Sequence, residues 1–159
     1  MNRSHFSNDC LEFISLLNKH GVKFVIVGGE AVIYHGYVRL TGDVDFFYDR
    51  STQNCSNLFK ALHKFWKGDI PGGLSIHDLE VEGYFIQFGV PPNRIDLMNK
   101  IDGVTFEDVW ENKVTEEILY KQKTVPVFFI GLEELIKNKS SSDRPKDQED
   151  LIYLKSNLE

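Results

Sequence analysis

Two short runs restrict what this chain can fold into: Lys23-Phe24-Val25-Ile26-Val27 stopped by Gly28-Gly29, and Asp43-Val44-Asp45-Phe46-Phe47-Tyr48. The first is β-branched and apolar after its opening lysine, the pattern of a buried strand. The second carries acids only at alternate positions of its opening half. Strand side chains project to opposite faces with period two, so Asp43 and Asp45 share one face while Val44 and Phe46 turn towards a core on the other. The ordinary rise of a strand sets the two carboxylates ~7 Å apart, close enough to grip one or two divalent ions between them.

The remaining elements follow from periodicity and punctuation. Leu11, Phe13, Ile14, Leu16 and Leu17 recur at helical spacing, and His20-Gly21 is the expected stop. A short helix over Glu30 to His35 closes at Gly36, and a longer one over 53–66 starts from a cap at Ser51 or Thr52. Residues 68–73 read as a loop. Residues 83–90 and 94–98 form an expected antiparallel pair turned by Pro91-Pro92-Asn93. Thr105 is the expected cap of a short helix, and 118–120 with 124–130 make a further hairpin. Two helices, 132–139 and 146–158, flank Ser140-Ser141-Ser142. The order predicts an α/β (α+β) fold: a small mixed β-sheet carrying the carboxylates, with helices packed mainly on its other face. A single domain is expected over 1–159, with its core at about 20–100 and a C-terminal hairpin and helices over 105–159.

Composition removes several classes of function. Hydrophobic residues at 42% supply a core and exclude a disordered chain. A net charge of -6 argues against a protein that coats nucleic acid with a broad basic face, while 18 Lys and Arg leave room for a local basic pocket. Cys10 and Cys55 lack the spacing of a zinc site, so a reducing compartment is expected. Met1 to His5 open no apolar leader, and no run approaches the roughly 20 apolar residues that span a bilayer. The expected location is the cytoplasm.

A third acid sits in an apolar frame, Arg94-Ile95-Asp96-Leu97-Met98. An aspartate in a buried strand is costly unless it binds metal or is paired, Arg94 being the nearby candidate partner. Three aspartates brought together repel one another unless a cation joins them. Gly28 and Gly29 carry no side chain to block the backbone, and a helix beginning there directs its free N–H groups at a phosphate. A phosphate cradle beside a carboxylate clamp is the machinery of two-metal phosphoryl chemistry. Arg39, between cradle and clamp, either contacts the triphosphate or pairs with a core carboxylate. His35 reads as a helix cap in preference to a catalytic base. Lys137, Lys139, Arg144 and Lys146 read as a solvated helix end in preference to a phosphate patch. No P-loop string and no Gly-x-Gly-x-x-Gly string occurs.

Val27-Gly28-Gly29 followed by Asp43-Val44-Asp45 resembles the signature of the DNA polymerase beta-like nucleotidyltransferase superfamily. The longer string through Glu30, Ala31, Val32, His35, Gly36, Arg39 and Thr41 resembles a small bacterial branch related to toxin-type enzymes of abortive-infection and toxin–antitoxin systems. Arg144-Pro145-Lys146-Asp147-Gln148-Glu149-Asp150-Leu151 is similar to that branch's C-terminal helix. The resemblance implies Asp43, Asp45 and Asp96 as ligands of Mg2+ (or Mn2+), with Asp96 also the base for an acceptor hydroxyl. It implies Gly28 and Gly29 as the triphosphate cradle and a nucleoside triphosphate as substrate. The acceptor is left open among an RNA end, a protein and a small molecule, and a protein partner or a homodimer could complete the pocket. The alternative is a non-catalytic interaction or regulatory protein that keeps the fold. Two departures stand out: no serine follows Gly28, and Glu30 places a negative charge near the cradle.

Overall fold

The computed structural model describes residues 6–158; Met1 to His5, read above for a leader, lie outside it. Helix α1 (Asn8–Lys19) starts at Ser7, whose hydroxyl accepts from the Cys10 backbone N–H. Then follow β1 (Phe24–Val27), α2 (Gly28–Tyr34) and β2 (Asp43–Tyr48). Helix α3 (Thr52–Phe65) is capped by Ser51, and a 3-10 turn at Pro71–Gly73 leads to α4 (Ile76–Glu80). The hairpin β3 (Phe85–Phe88) and β4 (Arg94–Met98) precedes α5 (Phe106–Glu111), capped by Thr105. The chain continues through β5 (Val114–Tyr120), β6 (Lys123–Phe129), α6 (Leu132–Ser140) and α7 (Pro145–Ser156).

The six strands form one mixed sheet in the order β3-β4-β2-β1-β6-β5. Its centre is the antiparallel pair β1–β2, flanked by two parallel pairings, β2–β4 and β1–β6. Alternation along the central strands divides the core in two. Phe24, Ile26, Val44, Phe46 and Tyr48 face a cluster built with Phe13, Ile14 and Leu17 of α1 and with Leu58 and Leu62 of α3. Val25, Val27 and Phe47 face the other way, onto Ala31 and Val32 of α2, Val109 of α5, Leu135 of α6 and Leu154 of α7. Asp43 and Asp45 share this second face. The long helices α1 and α3 thus lie opposite the carboxylates, and the later helices cover part of the carboxylate face. Cys10 and Cys55 are free thiols buried on the first side.

Strand β3 is shorter than the expected 83–90, helix α4 lies where no element was expected, and strand β5 starts early. Helix α4 has five residues, too few to show a periodic stripe, and its signal is the capping box Ser75…Asp78. Strand β5 begins at Val114, four residues before its expected start, because this edge strand has polar residues such as Glu116 and Glu117 where a buried strand would be apolar. No helix among the described residues is long and apolar enough to cross a membrane.

The segment around α4 is fastened by Asn99, just past the end of β4. Its amide nitrogen donates to the carbonyls of Leu79 (3.1 Å) and Val81 (2.8 Å), and its oxygen accepts from the Gly83 N–H (2.7 Å). Asn99 is buried, so alanine would leave several backbone groups without partners. Asn99→Ala is therefore expected to cost about 2–3 kcal/mol, visible as a lower urea midpoint with an unchanged slope.

Candidate metal and nucleotide site

Strand pairing assembles the site. In the β1–β2–β4 register Asp45 lies between Val27 and Asp96, and Asp43 lies beside Arg94. Period-two alternation then turns Asp43, Asp45, Arg94 and Asp96 onto one face. One ligand oxygen from each of Asp43, Asp45 and Asp96 lies within 4.8 Å of the others. The three aspartates expected from the sequence to act together are therefore brought together.

The cluster holds a cation of its own. Arg94 Nε donates to Asp96 Oδ1 (2.9 Å), while Nη2 donates to Asp96 Oδ2 (3.1 Å) and to Asp43 Oδ2 (2.6 Å). Asp43 also accepts from the Thr41 hydroxyl (3.1 Å), and Asp96 from the Gln87 amide (3.3 Å). Asp45 is the exception: its Oδ1 is buried without a hydrogen-bond partner. Burial first, then the charges of Asp43 and Asp96, push the Asp45 carboxyl up to about 8. Burial also raises Asp96, against the opposing hydrogen bond from Arg94.

Gly28 has φ +69°, and a Cβ there would stand 2.1 Å from Asp45 Oδ2. A Cβ at Gly29 would stand 2.7 Å from the Thr41 hydroxyl. The glycines thus let the backbone pass directly beside the carboxylates. Both line a cavity of about 120 Å³ with Arg39, Thr41, Asp43, Asp45 and Lys139. A larger cleft of about 630 Å³ begins at Gly28 and Asp45 and runs past Met98, Lys139, Ser142 and Arg144.

Arg39 pairs with a core carboxylate and also borders the cavity at the glycine turn. Its guanidinium forms a two-point pair with Asp150 of α7, Nε to Oδ1 at 2.9 Å and Nη2 to Oδ2 at 3.0 Å. His35 caps α2, and its Nε2 lies 2.8 Å from the Ile130 carbonyl. The largest departure concerns Lys139, expected at a solvated helix end. It is buried, with Nζ 2.7 Å from Asp147 and 3.2 Å from Asp150. Burial alone would raise the Asp147 carboxyl, but hydrogen bonds from Lys139, Ser142 and Arg144 outweigh it and hold the group at about 2. The overlooked signal was Asp147 and Asp150 at helical i, i+3 spacing, one side of α7 turned to a cation. Lys137, Arg144 and Lys146 are exposed as residues, although Arg144 and Lys146 border the cavities.

The donor set suits a hard divalent cation. Three carboxylates supply only oxygen ligands, and the orphaned Asp45 oxygen lacks what a cation would provide. This central mixed sheet, with strand-borne aspartates beside a glycine turn, defines a nucleotidyltransferase-like protein. Residues 8–155 match the model of a family described as "Nucleotidyltransferase of unknown function (DUF6036)", and the chain belongs to that family. A comparison with curated proteins gives no match.

Two outcomes follow from this geometry. An acid raised in the folded state adds stability below its unfolded pKa and forfeits it as pH rises through the folded value. In metal-free buffer the urea midpoint is accordingly expected to fall between about pH 4 and 8. Asp45→Asn should flatten that fall and leave the protein more stable at pH 8; an unchanged profile would show that Asp45 does not carry it. Asp43, paired with Arg94, should give no such gain. Gly28→Ala forces the Asp45 carboxylate aside and strains the backbone, so it should lower the melting temperature and abolish any Mn2+ binding seen by titration calorimetry.

Proposed function

We propose that the protein transfers a nucleoside monophosphate from a nucleoside triphosphate to a hydroxyl of an acceptor, releasing pyrophosphate with Mg2+ as the activating ion. The observation that carries this reading is the convergence of Asp43, Asp45 and Asp96 on one side of Gly28, at the head of a cleft bordered by Lys139 and Arg144. The three aspartates would hold the metal, which when bound supplies Lewis-acid stabilisation of the charge that grows on the phosphate oxygens. Gly28 and Gly29 let the triphosphate lie against the backbone. Arg144, exposed at the border of the cleft, offers positive charge where the pyrophosphate portion would lie. Asp96 takes the proton of the acceptor hydroxyl. The oxygen then bonds to the α-phosphorus as the bond from that phosphorus to the bridging oxygen breaks, and pyrophosphate carries the electron pair away. Mn2+ would serve the same oxygen ligands, and the acceptor is an RNA end, a protein or a small molecule.

Thermal unfolding with each ribonucleoside triphosphate, with and without Mg2+, tests binding first. A ligand at 100 times its dissociation constant adds about 2.7 kcal/mol. That gain should need Mg2+ and should disappear in Asp43→Asn and Asp45→Asn proteins. Incubation of an α-labelled triphosphate with cell extract then tests transfer. Label should move to an acceptor with the wild-type protein and stay at background with Asp45→Asn. Nucleotide binding without any transfer would favour the rival reading, an interaction or toxin–antitoxin component that keeps the fold.

A further inference from the structure

We propose that Arg94 is the resident counter-cation of the carboxylate cluster, so that a divalent ion enters by exchange with its guanidinium; this rests on the metal-binding reading above. The geometry carries it. A guanidinium that bonds Asp43 with Nη2 and both oxygens of Asp96 with Nε and Nη2 engages two of the three carboxylates a metal would need. The placement is built by the sheet. Arg94 sits across from Asp43 in the parallel β2–β4 register and two residues before Asp96, on the same face. Asp45, the remaining carboxylate, receives nothing from Arg94 and keeps its orphaned oxygen. Two of the three carboxylates are thus held by one guanidinium, whose single positive charge offsets only part of the cluster's negative charge, and the cluster is left open at Asp45.

Exchange has a direct physical cost. Releasing the guanidinium breaks charge-assisted hydrogen bonds, and its positive charge opposes an incoming cation for as long as it stays. Metal affinity is therefore held below what three free carboxylates would give. The metal-free fold gains in return, because Asp43 and Asp96 are never left as bare like charges. Arg94 acts here as a positioning residue: it sets the arrangement of the ligands and is not itself a ligand.

Mn2+ titration by calorimetry or by paramagnetic resonance, without nucleotide, provides the test. Arg94→Gln should bind Mn2+ at least about tenfold more tightly than wild type, the change expected from removing a charge-assisted contact, while melting lower in metal-free buffer. Arg94→Lys keeps the charge without the fork and should shift affinity the same way by less. In the wild-type protein, where folding of a variant is not at issue, the Arg94 Nε–H resonance should move on adding Mg2+ as its bond to Asp96 is lost. Equal or weaker Mn2+ binding by Arg94→Gln, or an unmoved Arg94 signal in a protein that does bind the ion, overturns the exchange while leaving the metal site standing. Absence of Mn2+ binding in both wild type and Arg94→Gln, with nucleotide also present, overturns the metal reading and the exchange together.

Discussion

Like charges held on adjoining strands are the constraint from which the rest of this structure follows. The β1–β2 and β2–β4 registers leave Asp45 and Asp96 side by side, with Asp43 two residues away on the same face. Their mutual repulsion, made worse by burial, must be met by something near them. The protein answers with Arg94, while Gly28 leaves the Asp45 carboxylate the space it needs. Asp45 receives the least help: it has no hydrogen bond from Arg94, and the more distant charge of Lys139 lowers its carboxyl less than burial and its neighbours raise it. The same imbalance leaves three carboxylates that could hold a metal ion.

A second charge system lies beside the first and has the opposite character. Lys139, Asp147, Asp150 and Arg39 are paired at short range, and Arg144 and Ser142 add bonds to Asp147. Buried pairs of this kind contribute little net stability compared with apolar packing, but losing one partner strands the other. Their value is in placement. The network joins α6, α7 and the loop carrying Arg39 around the glycine turn, so the walls of the cleft hold a fixed relation to the carboxylates.

The sequence was most readable where a single strand or helix set the answer. Alternation placed Asp43 and Asp45 on one face, and residue chemistry alone gave the cap at Thr105 and narrowed the cap of α3 to Ser51 or Thr52, of which the structure uses Ser51. Asp96 could be singled out because an acid inside Ile95-Asp96-Leu97 needs a reason to be there. Arg94 was visible as one candidate partner for it, but only the parallel β2–β4 register shows that the same guanidinium also reaches Asp43. Lys139 was misread because a lysine near a helix end is ordinarily solvated, and its burial depends on α7 folding back over α6. Arg39 shows the same limit: its carboxylate partner, Asp150, lies 111 residues away in the chain, where no local pattern could point to it. Short polar elements such as α4 and the first half of β5 carried too little hydrophobic pattern to be bounded.

The pairing of Arg39 and Lys139 with α7 bears on when the pocket can exist during synthesis. Strands β1, β2 and β4 carry the glycine turn and the three aspartates in the first hundred residues, yet the partners of Lys139 and Arg39 arrive only with Asp147 and Asp150. Until those residues emerge from the ribosome, a growing chain has its acidic cluster without the wall that faces it. The wall that faces the carboxylates is therefore completed later in synthesis than the carboxylate cluster itself.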